Sequence, residues 1–83
     1  MSHTPHELAD EFPQDAAVLH QLKTSDGHFA KLADTYHELN REIHRIESEV
    51  EPASDERAEL LKKKRLALAD EIGVIVAKAR AEA

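Results

Sequence analysis

Between Phe29 and Val50 the sequence FAKLADTYHELNREIHRIESEV places an apolar residue alternately three and four positions apart: Phe29, Leu32, Tyr36, Leu39, Ile43, Ile46 and Val50. That alternation marks one stripe along an α-helix, and a stripe this long is stable in water only when something covers it. The chain supplies one cover itself. Ala58, Leu61, Arg65, Leu68, Ile72, Ile75 and Ala79 repeat the same spacing, and only EPASDE, residues 51–56, intervenes. There Pro52 stops one helix, Ser54 or Asp55 caps the next, and Asp55, Glu56 and Glu59 favour its positive end. A loop so short makes the two long helices antiparallel neighbours.

The predicted fold class is therefore all-α: an antiparallel coiled-coil helical hairpin with long helices over 27–50 and 55–81. Composition agrees. With 83 residues, no cysteine, two Phe, one Tyr and no Trp, the chain builds one domain at most, from aliphatic stripes and without disulfides. Two Gly and three Pro leave little material for β-turns. Ahead of the hairpin, Thr4, Pro5 and Glu7 have the spacing of a capped helix start, and Phe12 is pushed toward an extended conformation by Pro13. Residues 1–12 thus read as an N-terminal segment with a short helical turn. Residues 13–83 read as the hairpin domain, opening with a short helix over 13–23 that carries Val18, Leu19 and Leu22. In TSDG, residues 24–27, Ser25 or Asp26 is the expected cap of the first long helix.

Arg65 is the exception in the second seam. Its stem must run along apolar surface while its guanidinium reaches an acid or solvent. Glu42 is the expected partner and Glu38 the alternative. The last helix also has more apolar surface than one seam uses. Leu66, Ala69, Gly73, Val76 and Ala77 form a second stripe, and Leu60, Ala67, Val74 and Ala81 a third. A helix apolar on several sides calls for more than one neighbour. The short helix is expected to cover one stripe, leaving Leu66, Ala69, Gly73, Val74, Val76 and Ala77 as the candidate partner surface, with Gly73 allowing close backbone approach.

Lys62, Lys63, Lys64 and Arg65 form a candidate basic patch that could grip phosphates. On a helix, however, these four point in four directions, and Glu59 is placed to pair with Lys62 and Lys63. Seventeen acids against eleven bases, a net charge of −6, disfavour nucleic acid as a partner. Six histidines raise the question of metal, but His37 and His44, seven apart, sit about 10.5 Å from each other along a helix, too far to share an ion. His3 falls out of register for an amino-terminal copper or nickel site once Met1 is removed. No metal site and no cofactor are expected. No catalytic residue is expected either: the chain has no cysteine, no phosphate-cradling glycine loop and no glycine-flanked serine.

With its helices placed, the chain resembles the YdcH-like family of small bacterial proteins of unknown function, from roughly Phe12 to Ile75. The resemblance rests on Asp26, His28 and Phe29, then Tyr36-His37, Ile43-His44-Arg45-Ile46-Glu47, Leu61-Lys62-Lys63, Arg65-Leu66 and Asp70-Glu71-Ile72. Ala69 stands where that family would place a lysine. The resemblance implies a short antiparallel coiled-coil hairpin and no assigned catalytic activity. The expected function is non-enzymatic: association with a second copy or with another cytoplasmic protein, the alternative being a nucleic-acid or ribosome-associated role through Lys62 to Arg65. The longest apolar stretch, GVIVA at residues 73–77, is too short to span a bilayer, and a cytoplasmic location is expected.

Overall fold

A computed structural model describes residues 6–49 and 52–82, which form four helices: α1 (Leu8–Glu11), α2 (Ala16–Ser25), α3 (Gly27–Glu47) and α4 (Asp55–Glu82). The protein is all-α, with α3 and α4 packed as a helical hairpin. Lys62 meets Glu47 near the turn, Arg65 meets Asn40 further along, and His28 meets Glu71 at the far end; the pairing numbers run in opposite directions, so the helices are antiparallel. At 1.5 Å per residue, the 28 residues of α4 account for the molecule's 43 Å length.

The helix boundaries follow from local hydrogen bonding. Asp26 closes α2 and opens α3: its N–H donates to the Leu22 carbonyl, and its carboxylate accepts from the N–H groups of His28 at 3.0 Å and Phe29 at 3.1 Å. An extended residue shared by two helices turns the chain back on itself, so α2 packs against both long helices. Ser54 caps α4, its hydroxyl oxygen accepting from the N–H of Arg57. Three bounds differ from the expected spans by two residues or more: the start of α2 and the ends of α2 and α3. Phe12 to Asp15 form a turn closed by the Asp15 N–H on the Phe12 carbonyl, which delays α2 from residue 13 to Ala16. The short first helix begins at Leu8, and the expected start at Thr4 and Pro5 lies outside the described residues. Helix α3 stops at Glu47, short of residue 50, where the Ser48 N–H and hydroxyl both donate to the His44 carbonyl and Glu49 takes a left-handed φ of 62°.

Phe29, Ala33 and Tyr36 of α3, Ile72 and Val76 of α4, Leu19 of α2 and Leu8 of α1 make the core. The most deeply covered line on α3 is Phe29, Ala33, Tyr36, Asn40 and Ile43, while Leu32, Leu39 and Ile46 are half-buried at its margin. Val50 lies outside the described residues. The centre of the stripe has rotated because α3 is covered by α4 on one side and by the N-terminal segment and α2 on the other. On α4, Leu61 and Ile72 are buried and Arg65, Leu68 and Ile75 half-buried.

Segment 6–15 is a strap across the hairpin. It starts beside Tyr36, whose hydroxyl donates to the His6 carbonyl at 2.6 Å. It buries Leu8 to 2% exposure and brings the Phe12 ring over Gly73, where a Cβ would meet it at an ordinary 3.7 Å. Gly73 is thus covered by this chain, and the contact does not require a glycine. The strap ends at Asp15, 7% exposed, whose two carboxylate oxygens accept from Arg80 Nε at 3.0 Å and Nη2 at 2.7 Å. That fork-to-fork geometry ties the start of α2 to the end of α4.

Candidate functional site

Helix α4 turns Leu61, Ile72 and Val76 inward, and a helix of 3.6 residues per turn must then carry Leu60, Leu66 and Val74 outward. They are 52%, 63% and 70% exposed, the large hydrophobic side chains left open among the described residues. Exposed apolar residues standing singly need no explanation, but three on the outer side of one helix do. Leu60, Ala67 and Val74 recur every seven residues and so form one line, drifting about 20° per step. Lys63, Leu66, Asp70 and Ala77 flank that line on one side, all of them exposed.

The structure divides the candidate partner surface. Leu66, Val74 and Ala77 stand open, whereas Ala69 and Gly73 are half-buried beside Phe12. Val76 does not belong to the surface: it is fully buried in the core, because the strap and α2 cover α4 from a side that the hairpin seam leaves open. Leu60 belongs to the open face instead.

The basic run does not form a patch. Lys62 lies 3.8 Å from Glu47 and 3.9 Å from Glu59, and Arg65 donates from Nη1 to Asn40 Oδ1 at 3.0 Å. Lys63 and Lys64 alone of the four point into solvent without a partner. The expected acid partners of Arg65 are thereby corrected: Glu42 pairs with Arg57 instead, and a neutral amide holds the guanidinium. Asn40, 1% exposed, faces α4 from the deepest line of α3, two residues before Glu42.

Among the described residues no group of three or more His, Cys, Asp and Glu side chains is arranged to hold a metal ion, and His3 lies outside them. Three of the histidines sit beside single carboxylates: His6 with Glu11 at 2.8 Å, His37 with Glu7, and His28 with Glu71 at 3.9 Å. His6, Glu7 and Glu11 are strap residues, so two of these pairs are tied to how the strap is seated. No described helix is long and apolar enough to cross a membrane.

Among the described residues, Tyr36 is the titratable group that its environment clearly shifts. Burial pushes its hydroxyl from 10.0 up to about 12, and the nearby Glu11 carboxylate adds to the rise. The folded protein therefore holds this proton more tightly than the unfolded chain does. Its contribution to stability is complete below pH 10 and is lost as pH rises through about 12. Urea denaturation across alkaline pH should show wild type losing stability in that window faster than Tyr36→Phe. Below it the variant should sit lower by about 1 kcal/mol, the worth of the hydroxyl's bond to the His6 carbonyl. Parallel curves above pH 10 would show that the phenol titrates at the same pH folded and unfolded, and so is not shifted by burial.

Sequence reasoning missed the Asp15–Arg80 tie and the burial of Leu8. An acid at the start of a short helix and an arginine 65 positions later carry no local signal, and one leucine amid HELADEF has no periodicity to read.

A family model described as a protein of unknown function, DUF465, matches residues 29–75, more than half of the chain. That span runs from the first core phenylalanine of α3 to the α4 seam and omits the strap and α2. No curated protein and no solved structure matches the chain.

Proposed function

We propose, for a chain that belongs to the DUF465 family of proteins of unknown function, which includes the YdcH-like proteins, that it is a non-enzymatic cytoplasmic module acting by protein–protein association through the outer face of α4. The open line of Leu60 and Val74, with Leu66 on its flank, is the observation that carries this reading. These side chains sit on a helix whose other sides are used by α3, α2 and the strap, and closing them against another protein would remove apolar surface from water. Of the basic run, only Lys63 and Lys64 remain unpaired, so the electrostatic grip needed to hold a nucleic acid against a net charge of −6 is small.

Replacing Leu60 and Val74 together by lysine should abolish association, with itself or with any other protein, while circular dichroism and the thermal midpoint stay close to wild type. Both positions are exposed, and surface changes of this kind usually move stability by no more than about 0.5 kcal/mol. A wild-type chain that remains monomeric from micromolar to millimolar concentration and binds no protein stoichiometrically would overturn the reading. So would a double variant that associates as wild type does.

A further inference from the structure

Resting on that reading and naming the occupant of the face, we propose that α4 pairs with α4 of a second copy, antiparallel, about a twofold axis passing beside Ala67. An isologous interface requires that whatever stands a given distance on one side of the axis suit what stands the same distance on the other. The outer face of α4 meets that condition in one register at Ala67 and at the Leu60–Val74 pair. Ala67, exposed and small, lies at the axis, where two helices must approach most closely. Leu60 of one copy then falls opposite Val74 of the other, seven residues from the axis on either side, closing two of the three open hydrophobic side chains against each other. On the flank of the line Lys63, four residues before the axis, and Asp70 of the other copy, three residues after it, come level to within one residue, about 1.5 Å.

Lys63 and Asp70 are exposed, and neither has a charge partner among the described residues. The twofold axis makes their cross-pairing happen twice. Leu66, on the same flank and next to the axis, meets its own counterpart. Shifting the register by one heptad, so that the axis passes beside Asp70 or Lys63, sets Asp70 or Lys63 against itself and is opposed by like charge. Nor does the chain's overall acidity oppose the pairing, because α4 carries seven basic and six acidic residues, leaving the acidic excess elsewhere.

The test uses the absence of cysteine. Full-length Ala67→Cys should oxidise to a disulfide-linked dimer, since the two positions face each other within bridging distance. An equimolar mixture of Leu60→Cys and Val74→Cys proteins should give the mixed dimer in preference to either like pair. Separately, Lys63→Asp and Asp70→Lys should each weaken the dimer about tenfold in sedimentation equilibrium, and the two changes together should restore it. All are exposed positions, and circular dichroism confirms that each variant is folded. A dimer that ignores the charge reversals and does not cross-link at residue 67 would overturn this inference while leaving association through α4 in place. A monomer that binds a different, identified protein through Leu60 and Val74 would do the same. A monomer without any protein partner would overturn both.

Discussion

Leu8→Ala is expected to lose about 2–4 kcal/mol of folding stability, the range for truncating a buried leucine whose surroundings only partly collapse. Leu8 is 2% exposed and belongs to the same cluster as Tyr36, Ile72 and Val76. A small domain has only about 5–15 kcal/mol in total, so this one truncation takes away a large share. Its thermal midpoint should fall by on the order of 10 °C or more. Leu60→Ala and Leu66→Ala, at comparable hydrophobicity but on the open face, should change the stability of the isolated chain by about 0.5 kcal/mol or less. Urea denaturation of the three variants decides the matter. A Leu8→Ala protein as stable as wild type would mean that the strap is not part of the folded core, and Tyr36 would then lose its partner at His6 as well.

Arg65→Leu alone should cost about 1–2 kcal/mol, because it removes a hydrogen bond from the buried amide of Asn40. Asn40→Ala should cost slightly more, about 1.5–3 kcal/mol, since it leaves a half-buried guanidinium without that acceptor. Replacing both residues by leucine should recover stability to wild type or beyond, as exchanging a buried polar pair for packed hydrocarbon commonly does. A double-mutant cycle measured by urea denaturation reads the coupling directly. Additive losses with no recovery in the double variant would show that the two side chains do not act as a pair. The recovered protein is also the place to look for loss of register, since a polar contact at one layer of a hairpin rejects alternatives offset by a heptad.

The antiparallel hairpin was legible because its determinants are local. Two 3-4 stripes, a proline between them and cap residues at Asp26 and Ser54 act within a few residues of where they stand, and a helix period reports which face is apolar wherever the partner is. The same reading placed Phe29, Tyr36, Ile43, Leu61 and Ile72, which are buried, on the inward side. It also marked Leu66 and Val74 as surplus, and both are open.

What tertiary structure alone decided is how far each stripe is covered and by what. Val76 and Leu66 lie in the same predicted stripe, yet one is fully buried and the other 63% exposed, because the chain before α3 folds back over one side of α4 and stops short of the other. That folding depends on contacts with no local period: Leu8 in one core cluster with residues of the three other helices, the Tyr36 hydroxyl on the carbonyl of a residue 30 positions earlier, and Asp15 forked onto Arg80 across 65. Asn40 replaced Glu42 as the partner of Arg65 for a related reason. Helix spacing can bring both residues near the guanidinium, but the rotation of α3 under the strap put the amide on the inside and left the acid to Arg57. The sequence by itself determined the helices and their apolar faces, since those follow from the period of a single helix. Only the packing of the fold decided which face remains open, because that depends on where distant segments come to rest.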